Sequence, residues 1–358
     1  MTKPPRTLVA TTLREVAEVA GVSIAAVSKV LHGKGKNIRV SDARAEVIRE
    51  TARKLRYQPN ALARSLRMSR THTVGLIWEN MQEIGDGPLY YVHLLDGVAT
   101  ELFRKHYRLT ILPEIPHNST ISSLSDGRLD GIIWCKMPDT PAVREELNHH
   151  ALSVVGLNSP PFSDQLCPTV SCDNAHGSKL VVDHLVALGH RHIVFPMDHG
   201  SEETPDAIAR LEGFQQAMAK HGLSTDGSVI QVNKQAPDIA SVLKQRPEIT
   251  AVFAWYEGLA GRIMASAQEA GYSVPGDLSV VGFDSTLYCD SLSPRLTAVK
   301  QPIKEMAQMA TRILLDQIEG HPLERNTCIF PCTLDVREST SPPASNGGHL
   351  SQRRGSSQ

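Results

Sequence analysis

Short apolar runs alternate with amphipathic segments along most of the chain, and this alternation constrains the fold more than any other feature. The runs are TVGLIW (73–78), DGIIWC (130–135), HIVFPM (192–197), ITAVFAW (249–255) and DLSVVGFD (277–284). Runs of this length are typical of strands buried on both faces of a parallel sheet. Segments 174–188 and 258–270 have helical periodicity, and glycines follow helix ends at Gly189, Gly222 and Gly271. We therefore predict a doubly wound α/β body that binds ligands at the carboxyl ends of its strands.

Charge is segregated between the start of the chain and the rest. Residues 1–71 contain 15 Lys and Arg against 5 acidic residues, a net charge of +10, and the remainder has a net charge of −11. A basic amino-terminal region joined to an acidic body is typical of a module that binds a polyanion. The alternative is a charge distribution that only keeps the protein in solution.

A helix-turn-helix arrangement is predicted within the basic region. Residues 12–15 match a capping box, so a first helix begins there. Gly21 supplies a tight turn, and Ser23 caps a second helix. Ser41 caps a third helix that runs through Arg56. The side chains of this third helix that are expected to face inward are Val47, Ile48, Thr51, Ala52 and Leu55.

The second helix has two unlike faces. Val27, Val30 and Leu31 share the side expected to pack against the first helix. The opposite side is formed by Ala25, Ser28, Lys29 and His32. Small residues let a backbone approach a groove closely, and polar tips reach base edges or phosphates, as in a DNA-recognition helix. A purely structural three-helix unit is the alternative.

Residues 57–67, YQPNALARSLR, follow the third helix. Pro59 ends that helix, and Asn60 can cap one further short helix. Because so short a helix is unstable alone in water, we expect it to order only when another surface covers it, as a hinge does.

These motifs together resemble the lactose-repressor (LacI/GalR) family of transcription regulators. The resemblance is carried by TLREVAEVAGVSIAAVSKVLHG and RVSDARAEVIRETARKLRYQPNALARSL, and it extends over residues 12–338. It implies that the second helix enters the major groove and that hinge helices of two protomers meet in the minor groove, where a leucine from each wedges into the central base step. By position, Leu66 is that wedge, with an ordinary core leucine as the alternative. By position, the resemblance also places Ile24, Ala25 and Lys29 at base edges. The full set of candidate DNA-binding residues is Ser23, Ile24, Ala25, Ser28, Lys29, His32, Lys34, Lys36, Arg39, Tyr57, Asn60, Ala61, Arg64 and Leu66.

The chain departs from the family pattern twice in this region. Lys29 stands where the family often has arginine, so a bidentate contact to guanine is not available, whereas Ile24 and Ala25 can touch thymine methyl groups. The loop between His32 and Val40 is longer than in the lactose repressor, and its added cations are Lys34, Lys36 and Arg39. We interpret these cations as contacts to the DNA backbone; a solvated loop is the alternative.

The resemblance also implies a body of two α/β subdomains that close on a small effector. Arg210 in ARLEGF matches the family arginine that commonly binds effector, and Asp284 in GFDS matches its aspartate partner. An arginine fork and a carboxylate suit a polyhydroxylated ligand or one with a carboxylate, although each residue could instead serve a structural ion pair. Candidates at other strand ends are Trp134, Cys135 and Asn158.

The largest departure in the body is AWYEG at 254–258, where the family usually has Ala-Asn-Asp. Tyr256, a further effector candidate, and Glu257 replace the polar pair, so the hydrogen bonding typical of sugar-binding members is not preserved. Trp255 is equally compatible with a core position and with a platform for the ligand.

Motifs of enzymes are absent from the sequence. GxSxG, HExxH, an EF-hand loop and a Walker motif do not occur, and GKGKN lacks the P-loop spacing. His149-His150 and His190-Arg191-His192 have no partner set for a metal. The six cysteines show no paired CxxC spacing, which favours reduced thiols in the cytosol. No run of about 18 apolar residues and no signal peptide is present. We therefore expect neither an enzyme nor a cofactor.

The predicted organisation is an extension (1–11), a helix-turn-helix domain (12–58), a hinge (59–71), a body (72–338) and a disordered tail (339–358). The chain is expected to cross between the two subdomains near residues 170, 300 and 329. The predicted function is a cytoplasmic, nucleoid-associated repressor that binds a palindromic operator as a homodimer and responds to a small metabolite, a sugar or related compound. An activator of the same family and a small-molecule transport protein are the alternatives.

Overall fold

The structure is a computed structural model, and it describes residues 11–33, 38–58, 70–78, 89–112, 124–149, 151–162, 166–198, 204–233, 235–323 and 325–344. The chain divides into two compact units, a head (residues 1–71) and a body (residues 72–358). Each unit has its own hydrophobic core. Within the described ranges, no helix combines the length and apolarity needed to cross a bilayer.

The helices of the head are α1 (Leu13–Ala20), α2 (Ile24–His32) and α3 (Asp42–Lys54). The predicted capping box is confirmed, because the Thr12 hydroxyl accepts from the Glu15 N–H and the Glu15 carboxylate accepts from the Thr12 N–H. Gly21 has a left-handed φ of 64°, which turns the chain between α1 and α2. The Ser23 hydroxyl caps α2 by accepting a hydrogen bond from the Ala26 N–H at 3.2 Å.

The head core is built from Val16, Val27 and Ile48, which are fully buried. The prediction that Val47 faces inward is wrong, since its side chain is 49% exposed. Residues three and four apart share a helix face, so Ile48 and Ala52 define the inward side of α3 and Val47 lies beside it.

Both ends of α3 differ in detail from expectation. Ser41 occupies the N-cap position, but its side chain makes no capping hydrogen bond. The helix ends at Lys54, two residues before the predicted end, and Arg56 already has a left-handed φ of 51° that a continuing helix does not allow.

The body alternates strands and helices. In chain order its strands are β1 (Thr73–Ile77), β2 (Arg108–Leu112), β3 (Gly131–Cys135), β4 (Ser153–Leu157), β5 (Thr169–Cys172), β6 (Ile193–Asp198), β7 (Val229–Val232), β8 (Ala251–Phe253), β9 (Ser279–Asp284), β10 (Thr297–Lys300), β11 (Thr327–Phe330) and β12 (Thr333–Asp335). Its helices are α4 (Leu89–Arg104), α5 (Pro141–His149), α6 (Asn174–Ala187), α7 (Pro205–Lys220), α8 (Ile239–Gln245), α9 (Glu257–Glu269), α10 (Leu287–Ser291) and α11 (Ile303–Glu319).

The strands form two six-stranded sheets. The first has the order β11-β5-β4-β3-β1-β2 with parallel pairs throughout. The second has the order β12-β10-β9-β8-β6-β7 and is parallel except where β12 meets β10. The prediction of two doubly wound α/β subdomains is confirmed, and every predicted strand is present with its ends shifted by at most two residues.

The connections between the sheets place strand ends of both subdomains close together. The chain leaves the first sheet after β5, returns after β10 through α11, and leaves it again between β11 and β12. Helix α11 packs against α4 and against the first sheet, whereas α6 packs against α7 and the second sheet. The carboxyl ends of parallel strands therefore meet where the two subdomains join, the usual ligand position in such folds.

The segment after β12 is ordered as far as it is described, so the predicted disordered tail is wrong for residues 339–344. Ser339 is fully buried: its hydroxyl accepts from the Thr297 N–H at 2.9 Å and donates to the Val280 carbonyl at 2.5 Å. The Ser341 carbonyl lies 2.9 Å from the His190 ring. Side-chain hydroxyls thus continue the second sheet's hydrogen bonding, which polar composition alone does not reveal. Residues 345–358 lie outside the described chain.

Candidate functional site

The first candidate site is the solvent-facing side of α2. Val27 points into the head core, and this orientation turns the other face of the helix outward. Ile24 is 44% exposed although it is apolar. Ser23 and Ala25 are exposed, as is Arg39, while Ser28, Lys29 and His32 are half-buried. The structure therefore brings the candidates of this helix onto one accessible surface.

Tyr57 connects this surface to the end of the head. Its hydroxyl lies 3.3 Å from the His32 Nε2 atom, and its N–H donates to the Ala52 carbonyl at 2.8 Å. Tyr57 is half-buried and packs against the head core, so it holds the carboxyl end of α2 in place. The other DNA-binding candidates, Lys34, Lys36, Asn60, Ala61, Arg64 and Leu66, lie outside the described residues.

The second candidate site is organised around Arg210, a residue of α7 that is only 1% exposed. Its Nε donates to the Asn174 side-chain oxygen at 2.9 Å, and its Nη1 donates to the Trp255 carbonyl at 2.7 Å. Nη1 also lies 3.6 Å from Asp284 Oδ1, and the guanidinium stacks on the Phe283 ring at 3.6 Å. The predicted pairing of Arg210 with Asp284 is thus present, and most of the guanidinium is held by the protein.

Asp284 ends β9 with an unusual backbone. It has a φ of 97°, and the next residue, Ser285, has a φ of 48°. The backbone of residues other than glycine rarely has a positive φ, so the turn holds strain of the kind that clusters at functional sites. The Gln301 amide donates to Asp284 Oδ1 at 2.6 Å. Burial raises the pKa of Asp284, and the Arg210 guanidinium opposes only part of that rise.

The first subdomain contributes three effector candidates, and they differ in whether they lie near Tyr90. Asn158 is 2% exposed, has a left-handed φ of 52°, and donates its amide N–H to the Tyr90 hydroxyl. Cys135 lies with its sulfur 3.9 Å from the same hydroxyl. Trp134 points to the opposite face of β3, because side chains alternate along a strand, and it packs in the outer hydrophobic cluster with Met137 and Phe162. The structure therefore groups Asn158 and Cys135 around Tyr90 but does not bring Trp134 to them.

Tyr256 is turned towards its own helix. Its hydroxyl accepts a hydrogen bond from Arg262, and its ring lies against Gly258. The neighbouring Trp255 instead contacts the site: its indole N–H donates to Asp198 Oδ1 at 2.7 Å, and Lys136 Nζ lies 5.6 Å from the ring centroid. Of the two aromatic residues, Trp255 rather than Tyr256 forms a wall of the cleft.

Glu257, which with Tyr256 replaces the usual polar pair of the family, has a structural role. Its carboxylate is 1% exposed and accepts hydrogen bonds from the Thr286 N–H, the Thr286 hydroxyl and the Cys289 thiol. Burial, together with the nearby Asp284, raises the pKa of Glu257 to about 7. The residue thereby anchors the turn between β9 and α10 behind Asp284.

A contact across the cleft was missed by sequence reasoning. Lys136 follows β3 of the first subdomain, and its Nζ lies 3.7 Å from Asp206 Oδ2 at the start of α7 in the second. Lys136 has a left-handed φ of 56°, as polar residues directly after a strand often do at functional sites. Asp206 precedes Arg210 by four residues, and its Oδ2 lies 3.4 Å from Arg210 Nη2. The sequence contained a signal for each residue: Lys136 directly follows a predicted strand, and Asp206 lies one helical turn before the effector candidate Arg210.

Several buried polar atoms at this place have no hydrogen-bond partner among the described residues. They are Asn158 Oδ1, Asp206 Oδ1 and Arg210 Nη2. Buried polar atoms in folded proteins are nearly always bonded, and a cluster of unbonded ones needs an explanation. Since both subdomains contribute such atoms, the cleft has the chemistry of a binding site for a polar small molecule.

Comparisons with known proteins cover both the head and the body. The sequence pattern described as "Bacterial regulatory proteins, lacI family" matches residues 12–60, and that described as "Periplasmic binding protein-like domain" matches residues 182–340. The HTH-type transcriptional regulator DegA of Bacillus subtilis (strain 168) is 30% identical over 342 residues, which cover 93% of this chain and 98% of the relative. The HTH-type transcriptional repressor PurR of Vibrio atlanticus (strain LGP32) is 28% identical over 326 residues, covering 88% of this chain and 94% of that protein.

A solved structure extends the likeness to three dimensions. The structure described as a complex of the transcriptional regulator CelR with cellobiose is 26% identical, covers 92% of this chain and 99% of its own, and has a TM-score of 0.67. The resemblance inferred from the sequence is confirmed over head and body together. The chain therefore belongs to the LacI family of bacterial regulatory proteins, and it is a helix-turn-helix transcriptional regulator, not an enzyme.

Proposed function

We propose that the protein is a repressor that binds a palindromic operator as a homodimer and responds to a small metabolite, a sugar or related compound, in the cleft of its body. The observation that carries the effector part is the cluster of buried, unbonded polar atoms around Arg210, to which both subdomains contribute. PurR, a relative over most of the chain, bears the name of a repressor. The cellobiose in the CelR structure supports a carbohydrate-like effector here. Such a regulator acts in the bacterial cytoplasm, on the nucleoid.

The proposed DNA contacts follow from the exposed face of α2. Ile24 and Ala25 touch thymine methyl groups, and Lys29 donates to a base or phosphate as a single cation. Lys34, Lys36 and Arg39 contact the DNA backbone beside the recognition helix. In the hinge sequence, Leu66 wedges into the central base step, and Asn60, Ala61 and Arg64 contact the minor groove around it.

The regulation that we propose is a population shift. An effector that binds between the two subdomains favours the closed arrangement of the cleft, and closure changes whether two hinge segments can pack on the operator. Two-fold symmetry of the homodimer explains why the operator would be palindromic. An activator has the same DNA-binding and effector-binding domains. Whether binding to the operator lowers or raises transcription therefore distinguishes a repressor from an activator.

The deciding experiment is selection of bound DNA from a random pool, repeated with a panel of metabolites. We expect enrichment of a palindrome with half-sites about one helical turn apart or a multiple of it, and a metabolite that changes the enrichment. Transcription from a promoter that contains the enriched site then gives the sign. A pool without any enriched sequence would contradict the proposal and favour a transport protein.

A further inference from the structure

Five buried side chains at the junction of the two subdomains form a closed ring of polar contacts, and each is at most 8% exposed. Arg210 Nε donates to Asn174 Oδ1 at 2.9 Å, and the Cys172 thiol lies 3.4 Å from the same oxygen. The thiol also lies 3.3 Å from Gln301 Oε1, and Gln301 Nε2 donates to Asp284 Oδ1 at 2.6 Å. Arg210 Nη1, 3.6 Å from Asp284 Oδ1, closes the ring. We call these five residues the crossover ring.

Two members of the crossover ring stand where the chain crosses between the subdomains. Cys172 is the last residue of β5, from which the chain leaves the first sheet. Gln301 directly follows β10, from which the chain returns to it. The contact between the two side chains joins these crossings. Because domain closure bends a chain at a few residues that end regular elements, the ring lies where a hinge motion has to act.

The state of the Cys172 thiol decides what it does in the ring. A hydrogen bond with Cys332, which lies between β11 and β12 at the third crossing, and burial raise the pKa of Cys172 well above its ordinary value. Cys172 therefore keeps its proton at neutral pH. Since each thiol has one hydrogen, both are satisfied when Cys332 donates to Cys172 and Cys172 donates to the amide oxygens.

The two neighbours of Gln301 fix which way its amide faces. A protonated thiol needs an acceptor, which Oε1 offers, and a carboxylate needs a donor, which the NH2 group offers. Both needs are met in a single orientation of the amide. Burial raises the pKa of Asp284, and the Arg210 guanidinium and the N–H from Gln301 oppose part of that rise. Without the thiol donor, the amide would lose one of its two anchors, and its hold on Asp284 would weaken.

We infer that Cys172 and Gln301 are positioning residues of the effector site, which hold the Asp284 carboxylate against Arg210 and make the geometry of that pair follow the angle of the chain crossings. The inference rests on the proposed function, in that Arg210 and Asp284 are taken as effector-binding residues. Neither positioning residue has to touch the effector. When the crossings bend during closure, Gln301 moves relative to Asp284, so the effector pair and the cleft respond together.

Titration of the Asp284 carboxyl in the full-length protein, without DNA or effector, tests the positioning role. Carbon-13 NMR of protein labelled at its aspartate carboxyls follows the titration, and Asp284→Asn assigns the signal. Cys172→Ala removes the thiol donor without adding bulk, so the Asp284 midpoint should move to higher pH. Cys172→Ser differs from it only by a hydroxyl donor and should restore the parent midpoint. An unchanged midpoint in Cys172→Ala, or an equal shift in Cys172→Ser, overturns the inference.

A second variant and a control make this result specific. Gln301→Met keeps an unbranched side chain and removes both hydrogen bonds, so the Asp284 midpoint should rise at least as far as in Cys172→Ala. This variant decides the question if Cys172→Ala does not fold, and a parent-like midpoint in it overturns the inference. Thr311→Val is the control, because the fully buried Thr311 hydroxyl donates to the Ala307 carbonyl within its own helix. A shift in Thr311→Val as large as in Cys172→Ala contradicts the positioning role.

Hydrogen exchange followed by mass spectrometry tests the link between the crossings. Cys172→Ala should speed exchange in residues 301–306, on the other crossing, and Gln301→Met should do the same in residues 172–177. We expect exchange to be about threefold to tenfold faster, the effect of losing one buried hydrogen bond. Thr311→Val should leave both segments at the parent rate. Faster exchange confined to the segment that carries the substitution contradicts the link.

The outcomes also separate this inference from the proposed function. If a metabolite changes operator binding but the Asp284 midpoint is the same in the parent and in Cys172→Ala, the regulator function stands and the positioning role is wrong. If no operator can be selected or no metabolite acts, the proposed function fails, and the titration still reports whether the crossover ring holds Asp284.

Discussion

Glu257 and Thr286 form a buried double contact: the carboxylate accepts from the Thr286 N–H at 2.8 Å and from its hydroxyl at 2.5 Å. These bonds hold the turn that follows Asp284, although the two partners are 29 residues apart in the sequence. Burial still dominates the titration of Glu257 and raises its pKa to about 7 from 4.5. A carboxyl group with a raised folded pKa stabilises the fold below the unfolded pKa, and this contribution is lost as the pH rises through the folded pKa.

Glu257→Gln should therefore be more stable than the parent at pH 8, by up to about 3 kcal/mol, and equally stable near pH 4. Urea unfolding between pH 4 and pH 8 measures the difference. Glu338→Gln is the opposite case, because Arg295 lowers the pKa of the exposed Glu338. Its loss should reduce stability at pH 8 and leave it unchanged at low pH. A Glu257→Gln variant that is less stable than the parent at pH 8 would show that the buried carboxylate is stabilised as an anion.

Arg210→Ala should abolish the effector response while operator binding by the head remains. Removing the guanidinium takes the paired cation from the buried Asp284 and one of two nearby cations from Asp206, so we expect a loss of stability of about 3 to 5 kcal/mol as well. Asp284→Ala should likewise remove the response. Operator affinity with and without effector, measured by fluorescence anisotropy, tests both variants. Arg295→Ala, an exposed arginine of the same subdomain that pairs with Glu338, is the matched control and should keep the response.

Ile48→Ala and Val47→Ala should differ sharply although the residues are neighbours. Ile48 is fully buried in the head core, and truncation should destabilise the head by about 2 to 5 kcal/mol. Val47 is 49% exposed, so its truncation should change stability by less than about 1 kcal/mol. Thermal melting of the two variants, followed together with operator binding, makes the comparison. Equal losses would mean that α3 is rotated relative to the described packing.

Leu66→Ala should weaken binding to the selected operator more than binding to random DNA. An apolar wedge contributes only where the base step is unstacked, which occurs in the specific complex. Gel-shift titrations against both kinds of DNA give the two affinities. Equal losses on the two DNAs would remove the wedge role from Leu66.

Lys34→Ala combined with Lys36→Ala should reduce the salt dependence of operator affinity by roughly one unit of slope for each lost phosphate contact, without a change in operator preference. Affinities measured over a series of salt concentrations give the slope. An unchanged slope would support the solvated-loop alternative.

The sequence alone determined the parts of this protein that depend on near neighbours. The capping box at Thr12, the left-handed turn at Gly21 and the buried strands follow from interactions within a few residues, which side-chain type and spacing express directly. The pair Arg210 and Asp284 was also accessible, because ARLEGF and GFDS match motifs of the family that the sequence resembles.

Only the tertiary structure decided the contacts between residues that are distant in sequence. Lys136 meets Asp206 across the cleft, Glu257 binds Thr286, and Ser339 bonds to the starts of β9 and β10, because the packing of the two sheets and their connections brings these positions together. Local periodicity does not encode such meetings, since they depend on how two sheets and their connections pack. The exposure of Val47 has the same cause. Whether an apolar residue at the border of a helix face is buried depends on how the helix is rotated against its neighbours, and a single stretch of sequence does not contain that information.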